Sequence, residues 1–130
     1  YNAPPAIQNA ELQQRSAMLA RNLLKLKDHI ILGTDAGAVG DFFGYADHVE
    51  LELFVRMGMS PAEAIVASTS RSAEAFGLDS AGSLKAGKAA DFLILDSDTT
   101  EDIRNTRQIF DDYLRGKRVD REALKQQWSQ

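Results

Sequence analysis

Asp35 is the residue best placed to do chemistry. It follows the apolar run Ile30-Ile31-Leu32 and the pair Gly33-Thr34, and Ala36-Gly37 come directly after it. Unbroken apolar character reads as a short strand, Ile30–Gly33, buried on both faces as in a parallel sheet. The carboxylate then stands at the C-terminal end of that strand, where it can ligate a divalent metal and take a proton from the water that the metal activates. One Asp does not hold a catalytic metal, because a zinc site usually takes three protein ligands, often His. The chain has two His and no Cys, which excludes disulfides and Cys-based zinc sites.

His48 and Glu52 lie four residues apart, on one helix face, a legitimate ligand spacing. The plainer reading is a surface pair or a packed His beside the pocket, and a substrate-side contact for His48 is the functional version. His29 ends a helix, where the dipole favours it, and is assigned no function. Phe42, Phe43 and Tyr45, among glycines, either line a substrate pocket or pack their loop down. Asp91 and Asp96 mark the solvent ends of a strand. Arg104, Arg107, Arg115, Lys117, Arg118 and Arg121 are interspersed with acids and read as a solvated face.

The 130 residues suggest one domain, able to bury roughly two-thirds of its unfolded surface. With 44% hydrophobic and 26% charged residues and a net charge of −4, the composition is that of a soluble globular protein, and the cytoplasm is favoured. No basic block points to nucleic acid, and no apolar run is long enough to cross a membrane. The first residue is Tyr, so the lack of a signal-like stretch carries no information.

The elements that would position Asp35 follow from pattern. Pro4-Pro5 keep the start irregular, and apolar spacing predicts a helix over Ala10–Lys27. The glycine-rich stretch 34–44 is a loop. A second helix covers Ala46–Met57, with Val49, Leu51, Leu53, Phe54 and Met57 as core candidates. Ser60-Pro61-Ala62-Glu63 is a capping box with Pro at the first helical position, opening a short helix over Ala62–Ala67. Another helix follows over Ser70–Phe76, stopped by Gly77. Beyond it the character changes: Asp91–Asp96 is a strand, 97–107 is turn-like, and Gln108–Leu114 is a strand. Arg115-Gly116-Lys117 is a tight turn leading to Val119, and Asp120 caps a closing helix over Arg121–Trp128. A single parallel strand cannot form its own sheet, so Ile30–Gly33 requires neighbours that the strands after residue 82 do not obviously supply.

Four ordered segments resemble the C-terminal end of the amidohydrolase superfamily. They are Gly33-Thr34-Asp35-Ala36-Gly37, Gly58–Ile65, Ala81–Asp96, and Glu101-Asp102-Ile103 followed by Gly116-Lys117. With Glu50-Leu51-Glu52-Leu53 they look most like the prolidase-like and imidazolonepropionase-related branch. The resemblance implies an α/β fold: a C-terminal fragment of a (β/α)8 barrel (last helix, strand 8 and following helices) over residues 1–77. Residues 78–130 would be C-terminal strands of a small β-sandwich with a closing helix.

It also implies hydrolysis of a C–N bond in a cyclic amide or dipeptide-type small molecule by a metal-activated water. Asp35 would be metal ligand and acid/base, and Thr34, Gly37 and His48 would lie on the substrate side. The family's His-x-His on the first strand, the bridging Lys and the later His residues have no counterpart here. A divalent metal, most simply zinc, is therefore expected in the complete parent enzyme and none in this chain alone, which is expected to be inactive by itself. A homo-oligomer or pairing with the missing barrel half would cover the orphan strand. The competing readings are a standalone oligomeric binding or assembly module descended from the same fold, and an enzyme completed in trans.

Overall fold

The helices begin and end where local chemistry dictates. The structure, a computed structural model, describes residues 18–37 and 42–128. Residues 18–24 are helical (α1), and the chain then tightens into a 3-10 turn at Lys27–His29. Of the helix expected over Ala10–Lys27, residues 10–17 lie outside the described residues, and residues 25–27 are a turn and the start of the 3-10 helix. An extended stretch follows, and then α2 over Tyr45–Met57. Gly58 ends α2 with a left-handed φ of 114°. Its N–H bonds Val55 O at 2.9 Å and the Met59 N–H bonds Phe54 O at 3.1 Å, the paired bonds of a glycine C-cap. That turn folds Met59 back into the core, where it is only 3% exposed.

The predicted capping box opens α3, Pro61–Val66: the Ser60 hydroxyl accepts the Glu63 N–H, and the Glu63 carboxylate accepts the Ser60 N–H. The two separate helices expected from here to Phe76 are one continuous run. A wide π turn at Ala67–Arg71 joins α3 to α4, Ser72–Ala75. Hydroxyls line this turn, with Thr69 Oγ1 on Ile65 O at 2.6 Å and Ser72 Oγ on Ala67 O at 2.8 Å. Side-chain bonds of this kind compete with the backbone ladder and loosen the helix without breaking it.

Three antiparallel strands follow, β1 Phe92–Leu95, β2 Ile109–Leu114 and β3 Lys117–Arg118, in the order β1-β2-β3. Phe92 stands opposite Tyr113 with the rings stacked 4.7 Å apart. A bulge at Ile94/Leu95 shifts the register, so that Leu95 faces Ile109. The segment expected to be only turns contains a 3-10 helix, Ile103–Arg107, started by Asp102 accepting the Arg104 N–H at 2.9 Å. The closing helix α5, Arg121–Trp128, has the expected cap, with the Ala123 N–H on Asp120 at 2.9 Å.

The core joins both parts of the chain. Leu51, Phe54, Met59, Ala64, Ala67 and Ile103 form it, with Leu24, Ile30, Leu32 and Ile65 packed partly buried around it. Each large side chain buried there contributes about 1.5–3 kcal/mol. Leu53 departs from the expected core face and is 46% exposed. It sits between the core residues Leu51 and Phe54 in a helix whose buried stripe repeats every three to four residues.

The larger correction concerns Ile30–Gly33. These residues do not form a strand, and only Ala36 makes an isolated bridge. Ile30 does adopt extended backbone, φ −83° and ψ 134°, but no neighbouring strand among the described residues ladders with it. Among the described residues no helix is long and apolar enough to cross a membrane.

Two outcomes follow. A Cβ added at Gly58 would lie 3.0 Å from a Leu24 methyl on a backbone that L-residues avoid. Gly58→Ala is expected to lower unfolding stability by about 1–2 kcal/mol, read as a lower urea midpoint at an unchanged slope. Glu63 is held down at about 2 by its hydrogen bond from Lys27 and then by the Ser60 N–H and hydroxyl. A lowered folded pKa adds stability that is present above the ordinary value of 4.5 and lost as pH falls toward 2. Acid titration of stability should show that loss in the native sequence and a smaller one in Glu63→Gln.

Candidate active site

Hydrogen bonds from side chains hold the segment that carries Asp35. Arg71 Nη1, from the π turn, donates to Lys27 O at 2.8 Å and Ile30 O at 3.3 Å. At the other end both Glu50 carboxylate oxygens accept the Gly33 N–H, at 3.1 and 3.2 Å. Thr34 Oγ1 donates to Asp47 at 3.5 Å and accepts the Ala36 N–H at 3.3 Å. The second of these bonds spans two residues and closes a tight turn around Asp35.

Asp35 is accordingly left-handed, φ 50°, a backbone state that Asp tolerates better than most residues. Its side chain is exposed. Gly37 follows at φ 105°, with the Phe43 ring 2.9 Å from where its Cβ would be, so the ring covers the turn only because Gly37 has no side chain. An open cleft of about 480 Å³ runs beside Thr34, lined by Phe42, Tyr45, Val49, Glu50 and Leu53. Phe42 and Phe43 are exposed, and the Tyr45 ring carries the Arg107 guanidinium 5.0 Å from its centroid.

His48 belongs to a different cavity, of about 670 Å³, between α2, α3 and β1, with Leu51, Ile65, Phe92 and Leu95 among its walls. Its Nδ1 lies 2.9 Å from Thr106 Oγ1. That hydroxyl donates to Ile103 O, so it accepts from the imidazole, and the Nε2 lone pair is left free. Burial pushes the His48 pKa down, and the Arg107 charge pushes it further, against Asp47 and Glu52. Glu52 forms an ion pair with Arg107 at 2.5 Å. The His48 and Glu52 pair at helical spacing thus ties α2 to the 3-10 helix. His29 is exposed in the last turn of its 3-10 helix.

Much of the expected basic face is paired individually: Arg104 with Asp102, Arg107 with Glu52, and Arg118 with the buried Asp111. Arg121 donates to Ile109 O. Asp91 accepts the Arg115 N–H at the hairpin turn.

Residues 6–120 match the sequence profile of the Amidohydrolase family. The chain belongs to the amidohydrolase family. Among solved structures it is similar to phenylurea hydrolase B, at 35% identity and a TM-score of 0.74 over 82% of this chain and 27% of that one. Molinate hydrolase matches at 28% identity and 0.74, over 81% and 26%. A candidate prolidase from Bifidobacterium longum matches at 33% identity and 0.73, over 88% and 30%. The chain therefore spans less than a third of each of these solved chains. No curated protein matches it.

Among the described residues of this amidohydrolase chain, no three His, Asp or Glu side chains gather as a metal site. Asp47 and Glu50 are the acids nearest in the hydrogen-bond network, and they are turned to Thr34 and to the Gly33 N–H. The described residues do not by themselves fit a metal ion. Sequence reasoning gave no site role to Asp47, Glu50 or Arg71. The readable signal was the three-residue spacing of Asp47 and Glu50, which puts both on one side of α2. Arg71 carried no signal, because its partners lie 41 and 44 residues away.

The His48 environment makes a direct prediction. Arg107→Ala removes a charge and opens the site to water, so the His48 pKa should rise toward 6.5. An NMR titration of the imidazole protons measures this, and an unchanged or lower value contradicts the account.

Proposed function

We propose that this chain is the C-terminal portion of a metal-dependent hydrolase that cleaves a C–N bond in a small molecule, with Asp35 as acid/base. The observation that carries the reading is an exposed carboxylate in a left-handed turn at the end of an extended apolar segment, in a family whose solved relatives include two named hydrolases. In this reading the extended segment is the last strand of a β/α barrel, whose catalytic end is its C-terminal one. Residues from 78 onward are the end of an adjoining sandwich.

Amidohydrolases generally bind a metal. A bound divalent ion, zinc in the simplest case, would lower the pKa of its water. Its other ligands would come from polypeptide beyond these residues, with Asp35 as the one carboxylate contributed here. Asp35 accepts a proton from the attacking water at a carboxylate oxygen and returns it to the leaving nitrogen. Thr34, through its bonds to Asp47 and Ala36, keeps the carboxylate turned out of the segment. Gly37 leaves room for the Phe43 ring at the rim, and the cleft beside Thr34, with Phe42 and Tyr45 on its walls, takes the apolar part of the substrate. Phenylureas, molinate, cyclic amides and dipeptides are the substrates to test, the first two because they stand in the relatives' names.

A second reading is favoured by one observation. Leu93 and Ile94 of β1 are 51% and 40% exposed on a strand at the edge of its sheet, which is a template for pairing with another chain. A standalone oligomeric module would use that edge.

The reading frame extended upstream of Tyr1 tests both. A longer product that binds zinc and hydrolyses one of these substrates supports the enzyme. In it Asp35→Asn should lower turnover by about 10²–10⁴. An Asn variant that keeps its activity refutes the acid/base role. A discrete oligomer of the 130 residues, with no longer frame, favours the module.

A further inference from the structure

Three side chains of α2 face one neighbour. Tyr45, His48 and Glu52 stand at i, i+3 and i+7, a single stripe over two helical turns. The 3-10 helix Ile103–Arg107 meets that stripe with two consecutive residues. Thr106 takes His48 at 2.9 Å. Arg107 takes the other two: its guanidinium lies 5.0 Å from the Tyr45 ring centroid, and its Nη2 pairs with the largely buried Glu52 at 2.5 Å. These contacts join two parts of this chain and require nothing outside it.

Tyr45 is also the first residue of α2, and that end of the helix borders the Asp35 turn. Asp47, in the same first turn, accepts from Thr34 at 3.5 Å. The Ala46 N–H bonds Phe42 O at 3.0 Å, and the Phe43 ring lies over Gly37. The Tyr45 ring itself stands half-exposed on the wall of the cleft beside Thr34. A half-exposed ring that follows a glycine N-cap has little packing to fix its rotamer, and the cation over it supplies what packing does not.

We propose that Arg107 is a positioning residue: paired to Glu52, it holds the Tyr45 ring as a fixed wall for the apolar group of the substrate beside Asp35. The role deepens the hydrolase reading and rests on it.

Arginine suits the double contact. Its planar guanidinium lies face-on to a ring while its edge pairs with a carboxylate. Lysine carries the same charge at one point and serves the ring or the acid, not both. Arg107 touches no substrate in this account and acts through Tyr45 alone. Affinity should therefore depend on Arg107 only while residue 45 keeps its ring.

The test measures binding in the complete chain that contains these residues, with the polypeptide beyond them in place. Asp35→Asn is carried throughout, so that affinity is read without turnover. A phenylurea, molinate, a cyclic amide and a dipeptide are titrated by calorimetry. The tightest binder then goes through a cycle of Arg107→Ala, Tyr45→Leu and both together. Arg107→Ala should weaken binding by about three- to tenfold, and Tyr45→Leu by at least as much. Adding Arg107→Ala to Tyr45→Leu should cost nothing more.

Parent-like binding in Arg107→Ala overturns the proposal. So does an equal loss with and without Tyr45→Leu, which marks Arg107 as a support of the fold and not of the ring. If Arg107→Ala does not fold, Arg107→Lys replaces it in both backgrounds. A loss confined to the native Tyr45 then supports the role, and an equal loss in both, or none in either, refutes it. If none of the four compounds binds and the native enzyme hydrolyses none, the substrate reading fails and the proposal falls with it. If one is hydrolysed with an affinity that ignores Arg107, the proposal alone fails. An Asp35→Asn chain that still hydrolyses its ligand removes the acid/base reading, and KM across the same variants then decides on Arg107.

Discussion

An extended apolar segment with no strand neighbour among the described residues is the constraint around which they are organised. Its side chains Ile30 and Leu32 pack against the core, so it cannot swing out to solvate its backbone, and its N–H and C=O groups must be met where they lie. Glu50 of α2 meets the Gly33 N–H, and Arg71 of the π turn meets the Ile30 C=O. Helical periodicity lets α2 act in three directions at once. Leu51 and Phe54 face the core, Asp47 and Glu50 reach the extended segment, and His48 and Glu52 reach the 3-10 helix that carries Thr106 and Arg107.

The same arrangement explains why the two halves of the chain cohere. Ile103 lies beyond the helical part, yet it is 4% exposed within the same core as Leu51 and Phe54. Around that apolar contact, His48, Glu52 and Tyr45 engage Thr106 and Arg107. The core itself is small, and no large side chain among the described residues is fully buried. Much apolar surface stays open, with Phe42, Phe43, Leu84 and Trp128 each more than 70% exposed. The chain spans under a third of each of the solved chains it matches.

Much of the local structure was legible from the residues alone. The span of α2, the Ser60–Glu63 capping box, the tight turn between β2 and β3, the Asp120 cap and the family itself could be read. Each depends on groups within a few positions of one another, or on an ordered set of such groups. Asp35 was legible as the candidate chemical group because an acid at the end of an apolar run is a local pattern. The continuity of α3 and α4 was not, since hydroxyls bonding back to carbonyls join two segments that propensity separates.

Other features were decided by tertiary structure. Ile30–Gly33 has the composition of a buried strand, but a strand exists only as part of a ladder, and composition cannot supply the partner. Leu53 looks like a core residue until the direction of the core is known. Arg107 and Arg118 look like a solvated face until Glu52 and Asp111 come up beside them. Glu50 and Arg71, which hold the segment before Asp35, have meaning only through contacts 17 and 41 residues away. The sequence by itself determined which groups were present and how each short stretch would fold. The tertiary structure decided which backbone groups those side chains would satisfy, because a hydrogen bond requires a partner within about 3 Å, and only the folded chain brings distant residues that close.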